Sequence, residues 1–246
     1  DCRIWDCGIA GILCTNGARP TIRRTIIEAN ACGVRVYGSS PTLDRCLIIS
    51  NYSGRGAGVY MAENSHPYLV NTLILQNRST SDGGGLYIGP GCNPTGINCT
   101  VADNIASNLG SALTTAGSPL FKNMIVWGNT DPASDPIDLQ AAAAFTYSCL
   151  QEFHPGTGNK VNDPLFVGNG NYRLSLRSPC VDTGTGVGAP GKDRLAVGGG
   201  SHVLRRGREP HAVHDGRIQA GQQRGCPVGV DRVVVTGHRG ERPHVD

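Results

Sequence analysis

Aromatic and charged residues are both scarce in this chain of 246 residues, at 5% and 17%. Such a composition is poor in long amphipathic helices, whereas the 35 glycines favour turns. No run of about eighteen apolar residues occurs, so no membrane span is expected. The net charge of +3 is too small to indicate a nucleic-acid partner. An all-β or repetitive architecture is therefore expected.

An initiator Met and a signal-peptide pattern are also absent at the start of the chain, which is Asp1. The first residues also match the end of a repeat and not its beginning. We therefore expect a fragment of a longer protein. The ten cysteines suit an oxidising compartment, but two Cys-x2-Cys pairs, as a zinc site would need, are not present.

What the sequence does contain is an internal repeat. Five segments align without gaps, and in each a Pro is followed ten residues later by an Asn. A Gly precedes each Pro by eight or nine residues. The segments are "PTIRRTIIEAN" from Pro20, "PTLDRCLIISN" from Pro41, "PYLVNTLILQN" from Pro67, "PTGINCTVADN" from Pro94 and "PLFKNMIVWGN" from Pro119; the glycines are Gly11, Gly33, Gly58, Gly85 and Gly110.

Each repeat reads as three short strands with apolar residues at alternate positions. A unit this short cannot close a core alone, whereas stacked units bury a continuous one. The pattern therefore predicts an all-β solenoid, a parallel β-helix of about six coils. An antiparallel sandwich with evenly spaced strands is the alternative, which the in-register residue identities disfavour.

Two columns of the repeat are expected to support the stack. Asn71, Asn98 and Asn123 share one corner, where Arg24 and Arg45 stand in earlier copies, and Asn can hydrogen-bond to its equivalent above and below. The Asn that ends each repeat is expected to turn the chain.

Cysteines occupy a second column. Cys2, Cys46 and Cys99 are predicted to point inward as small apolar fillers, with Thr copies between them that keep them too far apart for a disulfide. A bridge between Cys149 and Cys180 is left open.

Residues 1 to about 130 resemble right-handed parallel β-helix repeat proteins of the pectate-lyase-like superfold, through "GGGLYI", "INCTVADN" and "SPLFKNMIVWGN". The block "VNDPLFVGNGNYRLSLRSPCVDTG" is similar to the closing region of secreted bacterial β-helix proteins. The resemblance implies an extracellular or cell-surface location and a polysaccharide or cell-surface glycan as partner.

Three regions are predicted. Residues 1–130 form the coils, and residues 131–190 form an irregular last coil and a C-terminal cap. Residues 191–246 contain ten Lys or Arg and five of the seven histidines, and residues 196–246 lack Asn, Phe, Tyr and Trp. This basic tail is expected to be disordered or translated in a shifted reading frame.

No catalytic constellation is expected. The acids of the coils fall at different repeat positions, and only Glu63 and Asp82 could approach each other, as a weak calcium site. His66 and His154 have no Ser or Cys at a telling spacing, and the tail histidines offer only an incidental His-x2-His. No cofactor other than calcium is suggested.

Two outward stripes are more informative. Arg35, Tyr37, Tyr60 and Tyr87 are predicted to form an aromatic step beside a cation, which suits contact with sugar rings. Cross-strand packing that stiffens the sheet is the alternative explanation and the favoured one. An apolar stripe on the third strand of each repeat predicts a surface covered by a partner or by a missing segment: Ile26, Leu47, Leu73 and Ile125.

The sequence thus supports two functional hypotheses. The first is a non-catalytic secreted or surface scaffold for adhesion or carbohydrate contact. The second is a fragment of a polysaccharide lyase whose catalytic coils lie upstream of Asp1.

Overall fold

The computed structural model describes residues 2–139 and 143–187 and one further strand, Val233–Thr236. These residues form strands and turns without any helix. Accordingly, the described part of the chain has no helix long and apolar enough to cross a membrane. Each coil contributes strands that pair in parallel with those of the coils before and after it, so the fold is an all-β parallel solenoid of about six coils.

Four parallel sheets run along the solenoid, named in the order in which a coil visits them. The first sheet follows the repeat Gly: Ile12–Thr15, Val34–Tyr37, Val59–Ala62, Leu86–Ile88, Leu113–Thr115 and Ile137–Leu139. The second follows the Pro: Thr21–Arg23, Thr42–Asp44, Tyr68–Val70, Thr95–Ile97, Leu120–Lys122 and Ala144–Thr146. The third comprises Arg3–Trp5, Ile26–Glu28, Leu47–Ile49, Leu73–Leu75, Thr100–Ala102, Ile125–Trp127 and Cys149–Leu150. The short fourth sheet comprises Tyr52–Ser53, Arg78–Ser79 and Ile105–Ala106.

The core consists of identical positions stacked coil upon coil. Ile27 pairs with Ile48, Ile48 with Ile74, and Ile74 with Val101, and all four are fully buried. Each such side chain contributes about 1.5–3 kcal/mol by leaving water. The predicted fold and coil number are confirmed, because residues equivalent in the repeat are paired neighbours in the sheets.

The prediction that Gly110 is the fifth repeat glycine, equivalent to Gly85, is wrong. Leu86 pairs with Leu113, so the equivalent of Gly85 is Ala112, which is fully buried. Gly110 instead corresponds to Gly83, and both have left-handed backbones with φ of 61° and 65°. The error arose because this coil has glycine at the earlier of two positions and alanine at the later one.

The Asn that ends each repeat does not itself turn the chain. The left-handed backbone lies one residue earlier, at Ser50 (φ 55°) and Gln76 (φ 52°) for example. The Asn side chains instead point inward and form a buried ladder: Asn77 Nδ2 donates to Asn104 Oδ1 (3.0 Å), and Asn51 Nδ2 donates to Asn77 Oδ1 (2.9 Å). The full ladder is Asn30, Asn51, Asn77, Asn104 and Asn129.

A hairpin after the last coil covers the apolar stripe of the third sheet. Its strands, Phe166–Gly168 and Asn171–Leu174, belong to a segment, residues 161–187, that we call the cap. Tyr172 packs in one cluster with Ile49, Leu75 and Ala102, against which Leu47 and Leu73 also pack. The cover is therefore a segment of this chain itself, and Ile125 lies in the neighbouring cluster, whereas Ile26 is in neither.

A polar contact anchors the cap. The Tyr172 hydroxyl donates to Asp103 Oδ2 (2.6 Å) and accepts from Gln76 Nε2 (3.0 Å). Burial raises the pKa of Tyr172, and the bond to Asp103 raises it further. Because the folded pKa lies above the unfolded value of about 10, this stabilisation is complete below about pH 10 and is lost as the pH rises through the folded pKa.

We therefore predict that Tyr172→Phe weakens cap docking by about 1 kcal/mol below pH 10. The variant should also lose the weakening of docking that titration of the Tyr172 hydroxyl causes at alkaline pH. Trp127, which packs beside Phe166 and Leu174, is the reporter in a Trp5→Phe background. Its fluorescence is titrated from pH 8 to 12 in both proteins. Identical titrations with and without the Tyr172 hydroxyl would contradict the assignment.

One strand beyond the cap is described. Val233–Thr236 pairs in parallel with Ile12–Thr15 at the edge of the first sheet. The predicted character of the rest of the basic tail, residues 191–246, lies outside the described residues. The boundaries proposed for the three regions remain predictions.

Candidate functional site

The outward face of the first sheet brings the four predicted contact residues together. Arg35 pairs with Tyr60, and Tyr60 with Tyr87, so that these side chains follow one another along the solenoid axis. The rings of Tyr60 and Tyr87 are stacked at 5.1 Å with an interplanar angle of 7°, and Tyr37 lies tilted at 5.7 Å from Tyr60. We call Tyr37, Tyr60 and Tyr87 the tyrosine ladder.

Two guanidinium groups flank this ladder. The Cζ atom of Arg35 lies 6.0 Å from the centroid of the Tyr60 ring, and that of Arg55 lies 5.5 Å from the centroid of the Tyr87 ring. Arg55 Nε also contacts Asp82 Oδ2 at 3.1 Å, while its side chain is 55% exposed. Within the described residues, the buried Nε of Arg35 has no hydrogen-bond partner.

The stacking decides which atoms the ladder offers to a ligand. The rings face one another along the solenoid axis, so the ring faces between Tyr60 and Tyr87 are occupied. Burial raises the pKa of Tyr60, and the neighbouring Tyr37 and Tyr87 raise it further. The Tyr60 phenol therefore stays protonated near neutral pH and can donate a hydrogen bond to a ligand beside the two guanidinium groups.

Sequence reasoning missed Arg55. It lies in the turn before Gly56, a segment whose length varies between repeats, so no repeat position indicates where its side chain points. The close fit of this turn explains its placement: Gly56 has a φ of 57°, and a Cβ there would meet Tyr87 Cβ at 2.9 Å. The sequence feature that could have indicated the position of Arg55 is Asp82, because a carboxylate in a packed repeat favours a cationic partner.

The proposed calcium ligands have separate surroundings. Asp82 accepts hydrogen bonds from Arg55, Ser81 Oγ and Asn108 Nδ2. Glu63 is an exposed turn residue with a φ of 58°. The described residues contain no group of three or more His, Cys, Asp or Glu side chains that could hold a metal ion.

The two histidines before the tail have structural contacts. His66 Nδ1 accepts the backbone N–H of Asn93 at 3.2 Å, and His154 Nε2 lies 3.2 Å from Glu152 Oε1. Neither contact brings a nucleophile to the imidazole.

The corner asparagines form a second ladder. Asn123 Nδ2 donates to Asn98 Oδ1 (2.9 Å), and Asn98 Nδ2 donates to Asn71 Oδ1 (3.1 Å). All three have a φ between 52° and 55°. Arg24 (φ 45°) and Arg45 (φ 57°), at the same corner, also have a positive φ. The cap extends this ladder, because Asn123 also exchanges hydrogen bonds with the backbone of Thr185.

The cysteine column is buried at two of its three predicted positions. Burial raises the pKa of Cys46 to about 11 and that of Cys99 to about 12, so both are unreactive thiols. Thr72 lies between them and donates to Leu43 O at 3.2 Å. Cys2 is exposed rather than buried, because the described chain has no coil on that side to cover it.

Comparison with known proteins supports the class of fold. The parallel register and the coil geometry define the chain as a β-solenoid repeat protein. A family model described as right handed beta helix region matches residues 1–74, so the solenoid is a right-handed parallel β-helix. Searches of the curated proteins and of the solved structures each found no match.

Proposed function

We propose that this β-helix is a non-catalytic extracellular or cell-surface scaffold that contacts acidic polysaccharides through the tyrosine ladder and its two arginines. The observation that carries the proposal is the stacked pair Tyr60 and Tyr87, with Tyr37 tilted beside it and a guanidinium group near each stacked ring, on the outward side of the first sheet. The coarser part of the proposal, a β-helix scaffold, rests on the fold itself.

The geometry favours acidic over neutral sugars. A neutral sugar ring would need a free aromatic face, whereas Tyr60 and Tyr87 cover each other's faces. Carboxylate or sulfate groups would instead accept hydrogen bonds from the tyrosine hydroxyls and pair with the guanidinium groups. Arg35, Tyr60 and Tyr87 follow one another in three successive coils, ~4.8 Å apart, which suits a polymer segment lying along the axis.

The experiment compares binding to polygalacturonate with binding to dextran of similar size, by titration calorimetry on the full chain. Wild type is expected to bind polygalacturonate and not dextran. The double variant Arg35→Ala/Arg55→Ala should lose at least about tenfold in affinity, since each charged pair is worth about 1 kcal/mol or more. Arg78→Ala removes an exposed arginine from the fourth sheet and should change the affinity less than about twofold.

Three outcomes would overturn the proposal. Equal binding to polygalacturonate and dextran would contradict a role of charge. An equal loss of affinity in Arg35→Ala/Arg55→Ala and in Arg78→Ala would contradict a role of the tyrosine ladder. A calcium-dependent rise in unsaturated-product absorbance that disappears with a chelator would establish lyase activity instead. Unchanged circular dichroism of the double variant is the control for folding.

A further inference from the structure

Two cysteines meet where the cap joins the end of the solenoid. Cys149 begins the last strand of the third sheet, and Cys180 lies in a turn of the cap. Both are buried, with 5% and 3% exposure, in one cluster with Ile125. Both are free thiols in the structure.

The two thiols influence each other's ionisation within this cluster. Their interaction raises the pKa of Cys149 and lowers the pKa of Cys180. The lowered pKa gives Cys180 the greater thiolate character of the two.

Backbone contacts on both sides hold the two segments in place. Cys149 Sγ also donates to Asn162 O at 3.0 Å, and Lys160 Nζ donates to Pro179 O at 3.3 Å. The N–H of Cys180 donates to Ser178 Oγ at 3.1 Å. The approach of the two sulfur atoms is thus set by several contacts and does not depend on the thiols alone.

The other thiols of the described chain lie outside this cluster. Four of them donate to backbone carbonyl oxygens within the solenoid: Cys7 to Trp5, Cys32 to Gly56, Cys46 to Ile22 and Cys99 to Ile97.

We propose that Cys149 and Cys180 form a disulfide that fastens the cap to the last coil, with a small-molecule disulfide such as oxidised glutathione as the oxidant. The Cys180 thiolate attacks one sulfur of glutathione disulfide and releases one glutathione thiolate. Cys149 then loses its proton to solvent and attacks the Cys180 sulfur, which releases the second glutathione. Two protein thiols are oxidised and one glutathione disulfide is reduced to two thiols.

Exchange takes place while the cap docks, because both sulfur atoms are buried once it has docked. The bond closes a loop that contains the cap hairpin. A closed loop limits how far the hairpin can move when it opens, so the apolar stripe of the third sheet stays covered.

The test uses the full chain after equilibration with oxidised glutathione, denaturation in N-ethylmaleimide and digestion with trypsin. The expected product is peptide 123–160 linked to peptide 178–192, each of which contains one cysteine. Dithiothreitol should separate them. Cys2→Ser changes an exposed cysteine and should leave the linked product unchanged.

A functional readout accompanies the mapping. Oxidation should slow native tryptic cleavage after Arg173 and Arg177 by about tenfold in wild type and leave Cys149→Ser/Cys180→Ser unaffected. Recovery of both peptides with N-ethylmaleimide attached, or a link from either cysteine to a third one, would overturn the proposal. Slower cleavage in the double variant would show that oxidation acts elsewhere.

Discussion

Replacing Asn77 with Ala is expected to lower the free energy of unfolding by about 3–5 kcal/mol. Asn77 Oδ1 accepts two hydrogen bonds, from the backbone N–H of Asn51 (3.0 Å) and from its side-chain Nδ2 (2.9 Å). Asn77 Nδ2 donates to Ile48 O and to Asn104 Oδ1, both at 3.0 Å. Alanine leaves the buried N–H and Nδ2 of Asn51 and the carbonyl of Ile48 without these partners, and water has no access to replace them. Asn104 Oδ1 still accepts the backbone N–H of residue 77.

The matched control is Asn93→Ala. Asn93 is an exposed asparagine whose side chain accepts one hydrogen bond from the backbone of Ser118, so water can replace the contact. A loss of less than about 1 kcal/mol is expected. Guanidinium unfolding followed by far-ultraviolet circular dichroism measures both variants, and a similar loss in the two would contradict a special role for the buried ladder.

The second large effect is expected at Gly58, where alanine should cost about 3 kcal/mol or prevent folding. An added Cβ would collide with the backbone carbonyl of Gly85 in the next coil and lie 2.8 Å from Ile74 Cγ2. The carbonyl lies directly before the strand Leu86–Ile88 and cannot move without disturbing the hydrogen bond from the N–H of Val59 to Gly85 O (2.9 Å). The close approach of the coils therefore requires glycine at this position.

Gly54→Ala provides the control four residues away. A Cβ there meets nothing within 4 Å and the backbone does not have a positive φ, so stability should change by less than about 1 kcal/mol. Thermal unfolding compares the pair. Equal midpoints for Gly58→Ala and Gly54→Ala would show that the coils can separate to accept the methyl group.

Ala112 marks the limit of this glycine requirement. It stands where Gly58 and Gly85 stand in earlier coils, but the neighbouring coil is irregular there. Both Ala112 and Leu113 donate their N–H groups to the carbonyl of Pro136, whereas Gly85 and Leu86 donate to two successive carbonyls. The altered pairing is the structural difference that accompanies the methyl group.

The repeat made the coil architecture predictable. Proline, asparagine and the apolar positions recur at one internal spacing, so the pairing of Ile48 with Ile74 follows from the alignment alone. The same reasoning placed Tyr60 beside Tyr87. The alignment was wrong at Gly110, where the repeats differ, because it matched glycine with glycine and contains no information on backbone conformation.

Contacts between unrelated segments were not predictable in the same way. Arg55 reaches Tyr87 from a turn of variable length, and Tyr172 reaches Asp103 from a cap that does not share the repeat. Neither the separation of these residues along the chain nor the period of the repeat indicates that they are in contact. They depend on the path that the connecting segment takes across the finished solenoid.

The sequence by itself thus determined the solenoid, its number of coils and its stacked core columns, because residue identities kept in register from repeat to repeat favour parallel stacking over an antiparallel sandwich. The sequence indicated that the apolar stripe of the third sheet is covered, and only the tertiary structure decided what covers it. The cap lies on the third sheet and buries its apolar stripe, so the tyrosine ladder on the first sheet remains as the outward polar face. The physical reason is that the cap's Tyr172 and Phe166 bury apolar surface against the third sheet, where Asp103 and Gln76 also satisfy the tyrosine hydroxyl.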